Sequence, residues 1–273
     1  MASVQRFTPA QLLMWVLLVI GAFLCVFPFF WMLVGTTLNP NDVVLGVLKP
    51  GNEFLLNWEK VTKTYDILTM FFNSMKIALL TVVFGLFVNG LAAFSFEKYR
   101  SRAREWVFGV MLLTLIVPQM AIVIPMFRQM AFLKLLNTHA AIIMPSVMSV
   151  FIIFFLRQNF KMFPTEILEA ARADGAHELR IFFSIVVPSM KATFASASIY
   201  IFLLQWNSYL WPLMTILTDV KKTLPLAIFS MMRAYTIEYG AVMIAVCIST
   251  FPVLILFLVM QRQFVEGLLG SVK

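Results

Sequence analysis

Six stretches of this chain are long enough to cross a lipid bilayer and carry almost no charge, and this limits the fold more than any other feature. They are Leu12–Val34, Asn73–Ser95, Trp106–Phe127, His139–Leu156, Thr193–Leu217 and Ala241–Met260. About 20 apolar residues suffice to cross the hydrocarbon core. Among Lys, Arg, Asp and Glu, the six hold only Lys76, at the entry to the second, where a long stem lets the ammonium reach the interface. Backbone in lipid must satisfy its own hydrogen bonds, so the runs predict an all-α membrane protein with six transmembrane helices.

Composition agrees. Of 273 residues, 61% are hydrophobic and 12% charged, against roughly 25% charged in an ordinary soluble domain. That is too little charge to coat a soluble globule, and disorder and collagen are excluded by the same figures. In such a chain a net charge of +8 marks loops held near an anionic leaflet rather than a nucleic-acid site. Cys25 and Cys247 lie inside apolar runs, with neither a metal-ligand spacing nor a disulfide framework. Arg6 precedes the first run as in a signal peptide, but the run is too long for a signal core and lacks a small-x-small cleavage site, so it reads as an uncleaved anchor.

Basic residues in the loops set the expected orientation. With both termini cytoplasmic, the inside segments hold twelve Lys and Arg and the outside loops eight. The short connection from Lys98 to Arg104 alone holds four: Lys98, Arg100, Arg102 and Arg104. The chain reads as one membrane domain over 1–273, with a peripheral first span in 1–70, a core in 71–273 and a cytoplasmic loop in 160–190. The outer loop before the second span carries the turn signals Asn39-Pro40-Asn41-Asp42 and Pro50-Gly51, then a possible surface-lying segment from Leu56 to Phe72.

Polar groups inside spans must face protein or a wet path. Asn89, Gln119, Gln205 and Asn207 are the candidates for a translocation path. Trp206, Tyr209 and Trp211 suit an interfacial belt as well as a sugar-stacking surface. Pro28, Pro118, Pro125, Pro145, Pro212 and Pro252 enter the spans, and each removes a backbone donor and can bend a helix. Ala192, Ala195, Ser196, Ala197 and Ser198 predict a close helix–helix contact.

The loop between the fourth and fifth spans is the most informative stretch. Pro164 suits a first turn, Glu166 and Glu169 favour the positive helix end, and Gly175 can end the helix in the left-handed region. The predicted helix is about nine residues, too short to stand alone in water. It needs a docking partner, and Ala170 and Ala171 on one side suit a narrow cleft.

Here the sequence resembles a known family. Glu169-Ala170-Ala171, three residues, Gly175, nine residues and Ile185-Val186-Val187-Pro188 match the signature of permease subunits of binding-protein-dependent ABC importers, with Val187 where Leu is usual. Phe72-Asn73-Ser74, Asn137-Thr138, Trp206-Asn207 with Pro212-Leu213, Thr223-Leu224-Pro225 and the tail Gln261 to Gly267 resemble the carbohydrate, maltose-type branch, in particular the six-span member of its permease pair.

The resemblance implies a sugar or oligosaccharide importer subunit in a bacterial or archaeal cytoplasmic (inner) membrane. Its partners would be a second permease in a heterodimer, a dimer of cytoplasmic ABC ATPases and an extracytoplasmic solute-binding protein, all within membrane lipid. The loop helix would be the coupling helix, with Glu169, Ala170, Ala171, Asp174, Gly175 and Pro188 as its ATPase-coupling residues. The outer loop from Thr218 to Gly240 would meet the binding protein, and the tail would approach the ATPases. The chain would bind no cofactor and catalyse nothing itself, with ATP and Mg used by the partner ATPase, since it has no Gly-x-x-x-x-Gly-Lys-Ser/Thr loop. Permeases for glycerol phosphate, polyamines or amino acids are the alternative. A membrane enzyme or a channel is less consistent, because His139 and His177 stand alone and no filter or charge ring is present.

Overall fold

The computed structural model describes residues 8–99 and 101–269, with side chains to Gln261. Arg6, Arg100 and Lys273, used in the charge count, lie outside the described residues, as do the side chains of the tail from Arg262 on. The described residues are helical and contain no strand. By length and composition four helices could each cross a membrane, and six if each of two sharply bent pairs is one span. Backbone contacts divide the chain into two units. One comprises the first 65 residues and Ser230–Ile248; the other comprises Asp66–Phe229 and the residues from Ser249 on.

In the first unit, the Pro9–Gly35 helix is capped by Thr8, whose hydroxyl accepts from Gln11 N while Gln11 Oε1 accepts from Thr8 N at 2.9 Å. It runs unbroken through Pro28, and only its last turn is buried. Val34, Leu38 and Val43 form a small core with Tyr239 and Met243. The Phe54–Thr64 helix locks onto this core through Asn57, which is buried and donates to the carbonyls of Thr36 (3.0 Å) and Leu38 (2.8 Å). Lys60 pairs with Glu238 at 2.7 Å. The surface segment expected from Leu56 to Phe72 is therefore two helices. Asp66 accepts from Thr69 N at 3.1 Å and starts a new one, Ile67–Lys98, before the second expected span begins.

That Ile67–Lys98 helix is the axis of the second unit. Met70, Asn73, Ser74, Ile77, Ala78, Thr81, Gly85, Asn89, Ala93, Phe94 and Glu97 are buried along one stripe, the spacing of a helix packed on one side. Lys76 is exposed beside the stripe. Gly85 and Gly90 let neighbours approach closely: a Cβ on Gly90 would stand 3.0 Å from Phe182 and 3.2 Å from Phe194.

Three expected spans are interrupted. The third breaks at Val117–Pro118, and Arg102–Ile116 and Gln119–Phe132 bend by 106°. The fourth breaks at Met148–Ser149, between Ala140–Val147 and Val150–Phe160. The fifth does not run on to Leu217. Lys191–Trp206 ends at Asn207, whose Nδ2 turns back to Leu203 O at 2.8 Å, and Leu210–Thr215 follows separately. Pro212 has no N–H with which to continue the first helix. Of the six prolines, Pro118 marks a sharp bend, whereas Pro28 and Pro252 sit within continuous helices. A second bend, of 88°, separates Glu178–Ser189 from Lys191–Trp206.

Candidate functional site

The loop helix forms where the residues place it, over Thr165–Ala173. Pro164 stands one position outside the first turn, at φ −57° and ψ 127°. Gly175 has φ +80°. A Cβ there would meet no neighbour within 4 Å, so the backbone conformation rather than space calls for glycine.

The helix presents two faces. Leu168 and Ala171 turn inward onto Phe160, Phe163 and Ile181, while Glu166, Glu169, Ala170 and Asp174 are exposed. The two alanines of the signature thus do different jobs. Ala171 packs against this chain's own core at 9% exposure, and Ala170 alone belongs to the outward face. Pro188 is exposed in the short Val187–Ser189 turn, at the 88° bend rather than on the loop helix.

Arg172, in the last turn of the loop helix, donates through Nε to Glu178 Oε1 at 2.8 Å and lies 5.6 Å from the Tyr99 ring centroid. Burial, reinforced by a hydrogen bond to Glu178, raises the pKa of the Tyr99 phenol above its ordinary value. The bond to Glu178 likewise keeps Arg172 charged.

Deeper in the second unit is a cavity of about 450 Å³. Gln119, Gln205 and Asn207 line it together with Ser146, Ser149, Ser208, Tyr200 and Trp211, and none of its lining residues is charged. No protein hydrogen bond is made by the amides of Gln119 or Gln205 among the described residues. Three of the four polar residues singled out from the sequence therefore share one space. Asn89 does not line it. It is fully buried, donating to Gly85 O (2.6 Å) and Val147 O (2.7 Å) and accepting from Ser149 N (2.8 Å). It satisfies the backbone groups freed at the 148–149 break, which in turn lines the cavity.

The aromatic group also divides. Trp206 is buried and donates to Ser249 O at 3.0 Å, so it is not an interfacial residue. Trp211 donates to Ala141 O at 2.8 Å and lines the cavity. Tyr209 stacks on Phe229.

Sequence reasoning missed a latch that fixes residues 217–224. Asn137, at φ +58°, accepts from Leu217 N and Thr218 N, and its carbonyl accepts from Lys221 Nζ at 2.8 Å. Asn73 donates to the carbonyls of Val220 and Lys222, and Ser74 accepts from Leu224 N at 2.8 Å. The fragments Asn73-Ser74, Asn137-Thr138 and Thr223-Leu224 are thus one hydrogen-bonded assembly, separated in sequence and joined in space. The available signal was Asn137 itself, since asparagine tolerates positive φ where most residues do not.

Comparison with known proteins gives a consistent picture. Residues 82–269 match the family described as "Binding-protein-dependent transport system inner membrane component". The lactose transport system permease protein LacG of Rhizobium radiobacter is 44% identical over 273 residues, covering all of both chains. The arabinooligosaccharides transport system permease protein AraQ of Halalkalibacterium halodurans is 32% identical, covering 97% of this chain and 98% of that one. The sn-glycerol-3-phosphate transport system permease protein UgpE of Escherichia coli is 33% identical, covering 94% and 95%. In fold, the chain superimposes with TM-score 0.81 on a chain of a bacterial ABC transporter involved in the import of the acidic polysaccharide alginate, at 21% identity, covering 96% of this chain and all of that one.

Proposed function

The chain belongs to the family of binding-protein-dependent transport system inner membrane components, and from that premise we propose that it forms half of the translocation path of an ABC importer for a neutral sugar or oligosaccharide. The observation that carries the substrate class is the cavity. Its wall has no charged residue, and it offers the amides of Gln119 and Gln205 beside Tyr200 and Trp211. Amides and aromatic faces suit hydroxyl-rich solutes, whereas a phosphate or carboxylate needs a cation or a cluster of oriented donors. The full-length similarity to a lactose permease supports the same class. The similarity to a glycerol-3-phosphate permease supports an anionic solute, for which this wall has no counter-charge.

The Thr165–Ala173 helix would be the coupling helix, with Glu166, Glu169, Ala170 and Asp174 facing a cleft in a separate ATPase. Its exposed face is the part of the second unit best suited to an aqueous partner, since short helices need docking to persist. The loop charges favour placing it, and both termini, in the cytoplasm. A second permease would complete the path, a dimer of ATPases would consume ATP and Mg, and a binding protein would deliver solute near the latched 217–224 segment.

The test is ATP-driven uptake in proteoliposomes holding the chain with its partner permease, ATPases and binding protein. Labelled lactose, an arabino-oligosaccharide and sn-glycerol 3-phosphate are offered separately. Accumulation of a saccharide without the phosphate is expected. Accumulation of glycerol phosphate alone would overturn the substrate class.

A further inference from the structure

We infer that three consecutive residues at the foot of the Ile67–Lys98 helix, Glu97, Lys98 and Tyr99, are the positioning residues that carry movement of the loop helix into the cavity wall. The inference rests on reading that loop helix as the coupling helix and assigns the transmission to named side chains.

Each of the three grips a different point around the loop. Glu97 accepts from Arg157 Nε at 3.3 Å, with both side chains buried. Arg157 closes the Val150–Phe160 helix, and its guanidinium also lies 4.1 Å from the Phe108 ring centroid. Lys98 Nζ donates to Phe163 O at 3.0 Å, in the turn that enters the loop helix. Tyr99 holds the exit: its ring lies against the guanidinium of Arg172, which in turn donates to Glu178 at the start of the next helix. The loop helix is therefore bracketed at entry and exit by the last residue of the Ile67–Lys98 helix and the residue that caps it.

The other end of that bracket is the cavity. The Ile67–Lys98 helix has no proline and is one continuous rod, which bends sharply only at identifiable defects. Asn89 lies about 15 Å along it from Tyr99, at 1.5 Å rise per residue. There it holds Val147 O and Ser149 N, on either side of a break that lines the cavity, and Thr81 further along lines the same cavity. Apolar packing of Leu168 also joins the loop helix to the core, but such contacts are non-directional and can slide. The ion pair and hydrogen bonds fix register in both push and pull.

The test needs no transported solute. In the assembled importer, Cys25→Ser and Cys247→Ala remove native thiols from this chain, and Ser208→Cys puts a thiol on the cavity wall. Its maleimide labelling is compared between the nucleotide-free state and the state trapped with ATP, Mg and vanadate. The parent should change labelling rate about fivefold or more on trapping, the lower range for coupling between distant sites. Lys98→Met/Tyr99→Ala should keep ATP hydrolysis and lose most of that change, and Tyr99→Phe, which keeps the ring, should retain it. A double variant that still shows the parent's change overturns the inference. So does one that loses assembly or hydrolysis, which would reduce the grip to maintenance of the fold. A parent that shows no change on trapping refutes the coupling reading itself.

Discussion

Asn89 accepts the backbone N–H of Ser149 at 2.8 Å across the break between two helix segments, and through Nδ2 it also holds the carbonyl of Val147 at 2.7 Å. Asn89→Leu would leave both backbone groups without their partner in a buried site, at a cost of about 1–3 kcal/mol. The variant should melt at a lower temperature in detergent and yield less folded complex, with solute affinity in the surviving fraction unchanged. An unaltered melting temperature would remove Asn89 from this role.

Gln205 and Asn207 should behave differently, because they face the cavity. Gln205→Leu is expected to weaken saccharide uptake by roughly three- to tenfold in apparent KM, the scale of one neutral hydrogen bond, with stability close to the parent's. Asn207→Ala should shift uptake in the same sense. Steady-state uptake at graded solute concentrations reads both, and unchanged kinetics in the two variants would relegate these side chains to packing.

Gly240 admits no side chain. A Cβ there would stand 2.2 Å from Asn57 Nδ2, and the Asn57 amide is committed to Thr36 O and Leu38 O. Gly240→Ala should therefore loosen the Phe54–Thr64 helix, with a penalty of about 1–3 kcal/mol for overpacking. Limited proteolysis should cut the connection between 36 and 66 faster than in the parent. Equal cleavage rates would mean that Asn57 relaxes without loss.

These cases show which parts of the molecule were legible in the amino-acid order. The loop helix was readable to within a residue because its signals are local: Pro164 before it, acidic residues in its first half and Gly175 after it. Apolar length located the spans. It did not locate the breaks at Met148–Ser149 and after Trp206, because hydrophobicity does not register a helix that stops and restarts within the same apolar run. The division of Ala170 from Ala171 was hidden for a related reason. Adjacent helical residues point about 100° apart, and which of them turns inward depends on a core assembled from Phe160, Phe163 and Ile181. Asn89 was rightly conspicuous as a polar residue in an apolar span, but besides Gly85 its partners lie 58 and 60 positions away, a distance that no local pattern records.

As the proposed coupling helix, Thr165–Ala173 would link a partner's ATP hydrolysis to movement of solute through this chain. Its most direct test pairs Glu169→Lys, on the exposed face, with Gly175→Val, whose φ of +80° a β-branched residue adopts only at a cost of about 1–2 kcal/mol. Membrane insertion, ATP hydrolysis and solute uptake are measured on the same assembled complexes. Both variants should insert normally with uptake reduced about tenfold or more, the effect of losing roughly 1.4 kcal/mol of coupling. Uptake at the parent's rate in both would contradict the coupling role.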